Sequence, residues 1–148
     1  MKTSPLTARD PRLDAWRAFL RAHARLTREL ERELQADQSM ALADYDVLVQ
    51  LAAADDGRLR MSELADRVLL SRSGITRLVD RLEAAGLVER VLCESDRRGQ
   101  LAQLTDAGLA RLREASPTHL RGVAEHFLDR IPADELDQLR TTLERVAR

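Results

Sequence analysis

The sequence has few of the residues on which most enzymes and secreted domains depend. A single cysteine, Cys93, stands in 148 residues, which excludes an internal disulfide framework and fits a reducing compartment. Aromatic residues make up 3%, so the core must be aliphatic, mainly Leu and Ala, a balance that favours helices. No apolar run approaches the roughly 20 residues that span a bilayer. Met1 to Pro11 lack the apolar centre of a signal peptide, and these absences predict a cytoplasmic protein with no membrane partner. The chain has no glycine-rich phosphate loop, no Cys-x-x-Cys and no convincing His–carboxylate pairing, so neither an enzyme nor a cofactor is expected.

Lysine is nearly missing as well. Of 24 basic residues, all but Lys2 are arginine, the side chain whose planar fork suits phosphate and guanine. A GC-rich genome accounts for most of that bias, so composition permits nucleic-acid binding without demonstrating it. The net charge is −1, and any basic surface must therefore be local.

What is present is globular: 44% hydrophobic and 33% charged residues, enough for one domain with its own core. Residues 1–9 read as a polar tail and 10–148 as that domain. Asp10-Pro11 opens a long helix as N-cap and first helical position. Leu13, Trp16, Leu20, His23, Leu26, Leu30 and Leu34 then recur at spacings of three and four, the mark of one apolar stripe. A second helix reads from about Leu42 to Ala54, ended by Asp55-Asp56-Gly57. Arg58 to Met61 suits a single edge strand. Ser62 is placed to cap a short helix through Val68, and Ser71 to cap the next, Arg72 to Ala85, with Gly86 closing it.

Leu87 to Cys93 and Gln100 to Leu104 read as two strands joined by a charged six-residue loop, Glu94 to Gly99. Thr105 or Asp106 starts another helix, which Pro117 is expected to interrupt or kink. A last helix carries Leu136, Leu139, Leu143 and Val146 on one side. The fold class is therefore mainly α: a compact helix–turn–helix and hairpin between two long amphipathic ends.

The helix from Arg72 carries the chemistry. At 100° per residue, Ile75, Leu78, Val79 and Leu82 fall in one sector, which must face the core. Opposite lie Ser73, Arg77, Asp80 and Ala84, with Thr76 and Arg81 on the flanks. Arginine forks onto guanine, hydroxyls bond base edges or phosphates, and a helix N-terminus attracts phosphate. An ordinary amphipathic surface helix has the same periodicity; the short helix and tight turn before it, and the hairpin after it, favour a recognition helix. In that hairpin Arg97 and Arg98 are candidates for a minor groove, Gly99 lets the tip turn, and Asp96 can orient an arginine beside it.

The stretch Met61 to Val91, MSELADRVLLSRSGITRLVDRLEAAGLVERV, followed by Asp96-Arg97-Arg98-Gly99 and Leu104-Thr105-Asp106-Ala107-Gly108, closely resembles the MarR (multiple antibiotic resistance regulator) family. TRLVDRLE, GLVER, the D-x-R element and LTxAG follow one another at suitable spacing, and the helix order extends the likeness over about residues 11–148. The resemblance implies a winged helix-turn-helix regulator, typically a repressor, in which a homodimer addresses a pseudo-palindromic duplex. It assigns residues 10–36 and 117–148 to dimerisation, 42–104 to the DNA-binding lobe and 105–116 to a connecting helix. By position it gives Ser71, Arg72, Ser73, Thr76, Arg77 and Arg81 to the major groove and phosphates. Arg98 goes to the minor groove with Asp96 holding it, and Arg97 to a phosphate. The terminal stripes support a dimer independently, being more than a single small lobe needs to cover.

Relatives that bind a small, often aromatic, acid do so between the dimer helices and the lobe, which makes Trp16, His23 and Tyr45 candidate liners; each at helical spacing also reads as core. Cys93 lies in the hairpin and reads as a quiet structural thiol rather than a redox sensor. His119 and His126 are two turns apart, roughly 10 Å, too far to chelate one ion unaided. They read as a solvated polar face, and no metal is expected.

Overall fold

A computed structural model of the chain describes residues 7–68 and 72–148, with the side chains of all of these except 72, 73 and 96–98. The first helix, α1, spans Leu13–Gln38. Asp10 prepares it, its carboxylate accepting the Arg12 N–H at 2.9 Å while its carbonyl accepts that of Leu13. Helix α2 (Leu42–Ala52) has no side-chain cap of its own at Ala41. Glu31 of α1 supplies one, its carboxylate accepting the Leu42 N–H at 2.7 Å, so the start of α2 is fixed against α1.

A short turn at Asp55–Gly57 leads into β1 (Arg58–Arg60) and α3 (Met61–Arg67). Ser62 does not cap α3. The helix begins one residue earlier, and Glu63 reaches back to the Arg60 N–H at 3.1 Å. The expected turn and cap at Leu69, Leu70 and Ser71 lie outside the described residues. Helix α4 (Arg72–Ala84) ends as its sequence indicates. Gly86 takes φ +74°, the Leu87 N–H returns to the Leu82 carbonyl, and the Gly86 N–H to that of Glu83, the paired bonds of a Schellman end.

Strands β2 (Val88–Cys93) and β3 (Asp96–Leu104) form the hairpin, and β1 adds to the far side of β3 in an antiparallel sheet ordered β1-β3-β2. The six-residue loop expected at the tip is corrected here. Cys93 pairs with Asp96 while Leu92 pairs with Gln100, so only Glu94 and Ser95 connect the strands. Arg97, Arg98 and Gly99 are surplus residues bulged from β3; a bulge has no alternating pattern and reads as loop in sequence.

Helix α5 runs unbroken from Asp106 to His126. Pro117 sits inside it, exposed, and removes one N–H without ending the helix, so the boundary expected at 117 falls within an element. A turn at Leu128–Arg130 leads to α6 (Ala133–Val146).

The core is contributed by every element from the end of α1 to the middle of α5. Leu34, Val47, Leu48, Leu51, Leu64, Ile75, Val79, Val88 and Ala102 are all essentially sealed from solvent. By contrast α6 buries none of its residues. Trp16, Phe19 and Leu20, in the first half of α1, are 54%, 48% and 44% exposed. No helix among the described residues is long and apolar enough to cross a membrane.

Candidate nucleic-acid interface

Helix α4 divides as its periodicity requires. Ile75, Leu78, Val79 and Leu82 are 1%, 6%, 0% and 2% exposed and hold the helix to the lobe; Thr76, Arg77, Asp80 and Arg81 face outward. Arg77 makes no ion pair or hydrogen bond with any described residue. The side chains of Arg72 and Ser73, on the first turn, lie outside the described set, as does Ser71 entirely.

Arg81 is placed differently from Arg77. It binds Asp44 of α2, Nη2 to Oδ1 at 2.6 Å, and this bond raises its pKa above the ordinary guanidinium range. Arg81 thus ties α4 to α2, although more than half of its side chain remains exposed.

A second tie comes from Arg90, which the sequence reading passed over. From β2 its guanidinium reaches Asp80 Oδ1 at 2.7 Å and Glu83 Oε1 at 3.1 Å. It also donates to the Thr76 carbonyl at 3.4 Å, and its backbone N–H to Glu83 Oε2 at 2.9 Å. The available signal was the arginine of GLVER, seven and ten residues beyond two outward carboxylates.

The LTxAG element gains a physical meaning. Thr105 Oγ1 accepts the Gly108 N–H at 3.0 Å, capping α5, and donates to the Gly86 carbonyl at 2.7 Å. A Cβ on Gly108 would stand 2.0 Å from the Leu87 carbonyl oxygen, so only glycine lets α5 approach the end of α4. Threonine and glycine together lock the base of the hairpin to the end of α4.

In the hairpin the backbone places Arg97 and Arg98 in the bulge, directly after Asp96; the side chains of all three lie outside the described residues. Cys93 is half-buried, its Sγ 3.1 Å from Ser95 Oγ and 3.5 Å from an Arg60 nitrogen.

Behind the interface, α1, α2, α5 and Val68 enclose an open cleft of about 900 Å³. Of the three candidate liners, His23 and Tyr45 border this cleft and Trp16 does not. Trp16 sits nearer the N-terminus of α1, exposed, with its ring stacked 6.0 Å from that of Phe19. Missed in sequence were Arg28, Asp46 and His119. His119 packs on Tyr45 with ring centroids 4.4 Å apart. Burial holds its imidazole below the ordinary range, against a partial upward pull from Asp46. Tyr45 donates to Ser116 Oγ at 3.2 Å.

The expected solvated histidine face is likewise corrected. His126 is mostly buried, its Nε2 2.7 Å from Glu33 Oε1, so the two histidines serve different helix contacts. Glu33, Glu125 and His126 bring ligand-type atoms within 4.8 Å of one another, but Glu33 and His126 already bond each other and Glu125 is exposed.

A short helix leading to one with an aliphatic inner side and an arginine outer side, then an antiparallel hairpin, defines a winged helix-turn-helix protein. A MarR family profile matches residues 38–99, and the whole chain is similar to solved members. AbsC, a transcriptional regulator from Streptomyces coelicolor, is 39% identical across 98% of this chain and 96% of its own, with a TM-score of 0.87. Sco3205 from the same organism, solved in complex with DNA, is 36% identical across 99% and 91%, with a TM-score of 0.89. The regulator MhqR of Bacillus subtilis is 30% identical over 86 residues, 58% of this chain and 59% of MhqR, so that match spans less than two thirds of the relative's length. The chain belongs to the MarR family of transcriptional regulators.

Proposed function

We propose that the chain is a repressor that binds a pseudo-palindromic operator as a homodimer and is released by a small ligand. The observation that carries the reading is Arg77: exposed, on a helix whose other side is sealed into the core, and without a protein partner among the described residues. An arginine so placed is available to fork onto a guanine in a major groove. Thr76 beside it, with Ser71, Arg72 and Ser73 at the helix start, supplies hydroxyls and charge for phosphates and base edges. In this reading, as the family resemblance assigns them, Arg97 contacts the phosphate backbone and Arg98 the minor groove, with Asp96 orienting Arg98.

Homodimerisation accounts for the uncovered apolar side chains. Trp16, Phe19 and Leu20 of α1, Leu120 of α5, and Leu143 and Val146 of α6 are all exposed, and they lie outside the lobe that carries α4. An obligate dimer interface often buries about 2,000 Å² or more, which two terminal helices per chain can supply. Residues 10–36 and 117–148 would then be dimerisation segments around the 42–104 lobe. A regulator acting on DNA in this way belongs in the cytoplasm.

The cleft is the place for a ligand. Its walls combine apolar surface with Tyr45, His119, His23 and Arg28, beside the carboxylates of Glu31 and Asp46, a lining in which an aromatic acid would pair with Arg28, and Ala43 and Tyr45 flank Asp44, which holds Arg81. A ligand that shifts the first turn of α2 thus acts on α4 through Asp44.

Selection of bound sites from random duplexes tests the reading. The expected product is a sequence with two related half-sites, bound with an affinity that falls steeply as salt rises. Candidate aromatic acids should release it. Recovery of no enriched sequence would overturn the proposal.

A further inference from the structure

A surface that approaches phosphate ought not to carry bare carboxylates, yet the outward side of α4 has Asp80, with Glu83 one turn on. Asp80 is 61% exposed. Both acids are engaged by one guanidinium, that of Arg90, whose own side chain is only 17% exposed. The same group donates to the Thr76 carbonyl, so it spans two turns of the helix from the neighbouring strand of the wing.

From this geometry we infer that Arg90 is a positioning residue for DNA recognition: it offsets one of the two negative charges of Asp80 and Glu83 and fixes α4 against β2. The inference rests on the DNA-binding reading above. Arg90 is too enclosed to serve as a free phosphate ligand, and its donors are already directed at α4. Its effect on the duplex is indirect. Two unpaired carboxylates within a screening length of phosphates, about 8 Å at physiological salt, would repel the backbone beside Arg77. Loss of the tie would also loosen the middle of α4 against the hairpin that carries Arg97 and Arg98, leaving the two held together only at the base of the hairpin.

The test is fluorescence anisotropy on a duplex selected by the wild-type chain, read across a salt series. It compares wild type, Arg90→Gln, Arg90→Ala and the triple variant Arg90→Ala/Asp80→Asn/Glu83→Gln, whose cluster carries no charge, each checked for helix content and melting temperature. Both single variants should bind about tenfold or more weakly at low salt, with a deficit that narrows as salt screens the exposed acids. The triple variant should recover most of the affinity. A merely structural role would show neither the narrowing nor the recovery. Arg90→Gln binding like wild type, or a triple variant as weak as Arg90→Ala, overturns the inference while leaving the DNA-binding reading intact. A wild-type chain that selects no duplex overturns that reading first.

Discussion

Single residues carry opposite assignments depending on which side of a helix they occupy. His119 is an example with a measurable consequence. Its imidazole is held below the ordinary value of about 6.5 by burial against Tyr45. The unfolded chain therefore binds a proton there before the folded chain does, and stability must fall as pH drops below about 6.5 and level off once both states are charged. Urea unfolding at pH 7.5 and 5.5 should show wild type losing more stability than His119→Phe, which keeps a ring against Tyr45 but cannot titrate. Equal losses would mean that burial does not hold the His119 imidazole below its ordinary range. Gly108 offers a steric counterpart. A side chain there collides with the Leu87 carbonyl, so Gly108→Ala should destabilise the chain by about 2–4 kcal/mol. A melting temperature within a degree of wild type would contradict the close approach of α5.

At the scale of elements, the amphipathic helices were legible because an inner side and an outer side are a property of spacing alone. Ile75, Leu78, Val79 and Leu82 declare the buried side of α4, and Gly86 declares its end. What was illegible depends on partners brought from elsewhere. Arg90 meets Asp80 and Glu83 only because the chain reverses at Gly86, and Glu31 caps α2 from another helix. Trp16 is the sole tryptophan and lies on the apolar stripe of α1, but neither rarity nor spacing says which way a ring faces. The bulge at Arg97 to Gly99 lacks the alternation that marks a strand, so β3 reads four residues shorter than it is. That bulge yields a prediction for the wing. Arg97→Ala should weaken all duplexes about equally, whereas Arg98→Ala should mainly lose preference for sequences with a narrow minor groove. Indistinguishable effects on an A-tract panel would contradict the separate roles.

For the whole molecule, the division between a sealed lobe and exposed terminal helices is the dominant feature. It makes the assembly state testable apart from DNA. Placing charge in the uncovered stripes, with Trp16→Glu and Leu143→Glu together, should shift sedimentation from dimer to monomer. Operator affinity should fall because each half-site is then bound alone, while α4 and its core stay folded. A wild-type chain that sediments as a monomer at micromolar concentration would contradict the dimer.

The central claim is that the Arg77 side of α4 enters a groove. Its most direct measurement is the affinity of wild type and Arg77→Ala for the selected operator and for a scrambled duplex at matched salt. The expected loss is about 1–3 kcal/mol, roughly 5- to 150-fold, on the operator, with little change on the scrambled sequence, so that discrimination collapses. An Arg77→Ala protein that keeps the wild-type ratio between the two duplexes would show that this side of the helix does not read DNA.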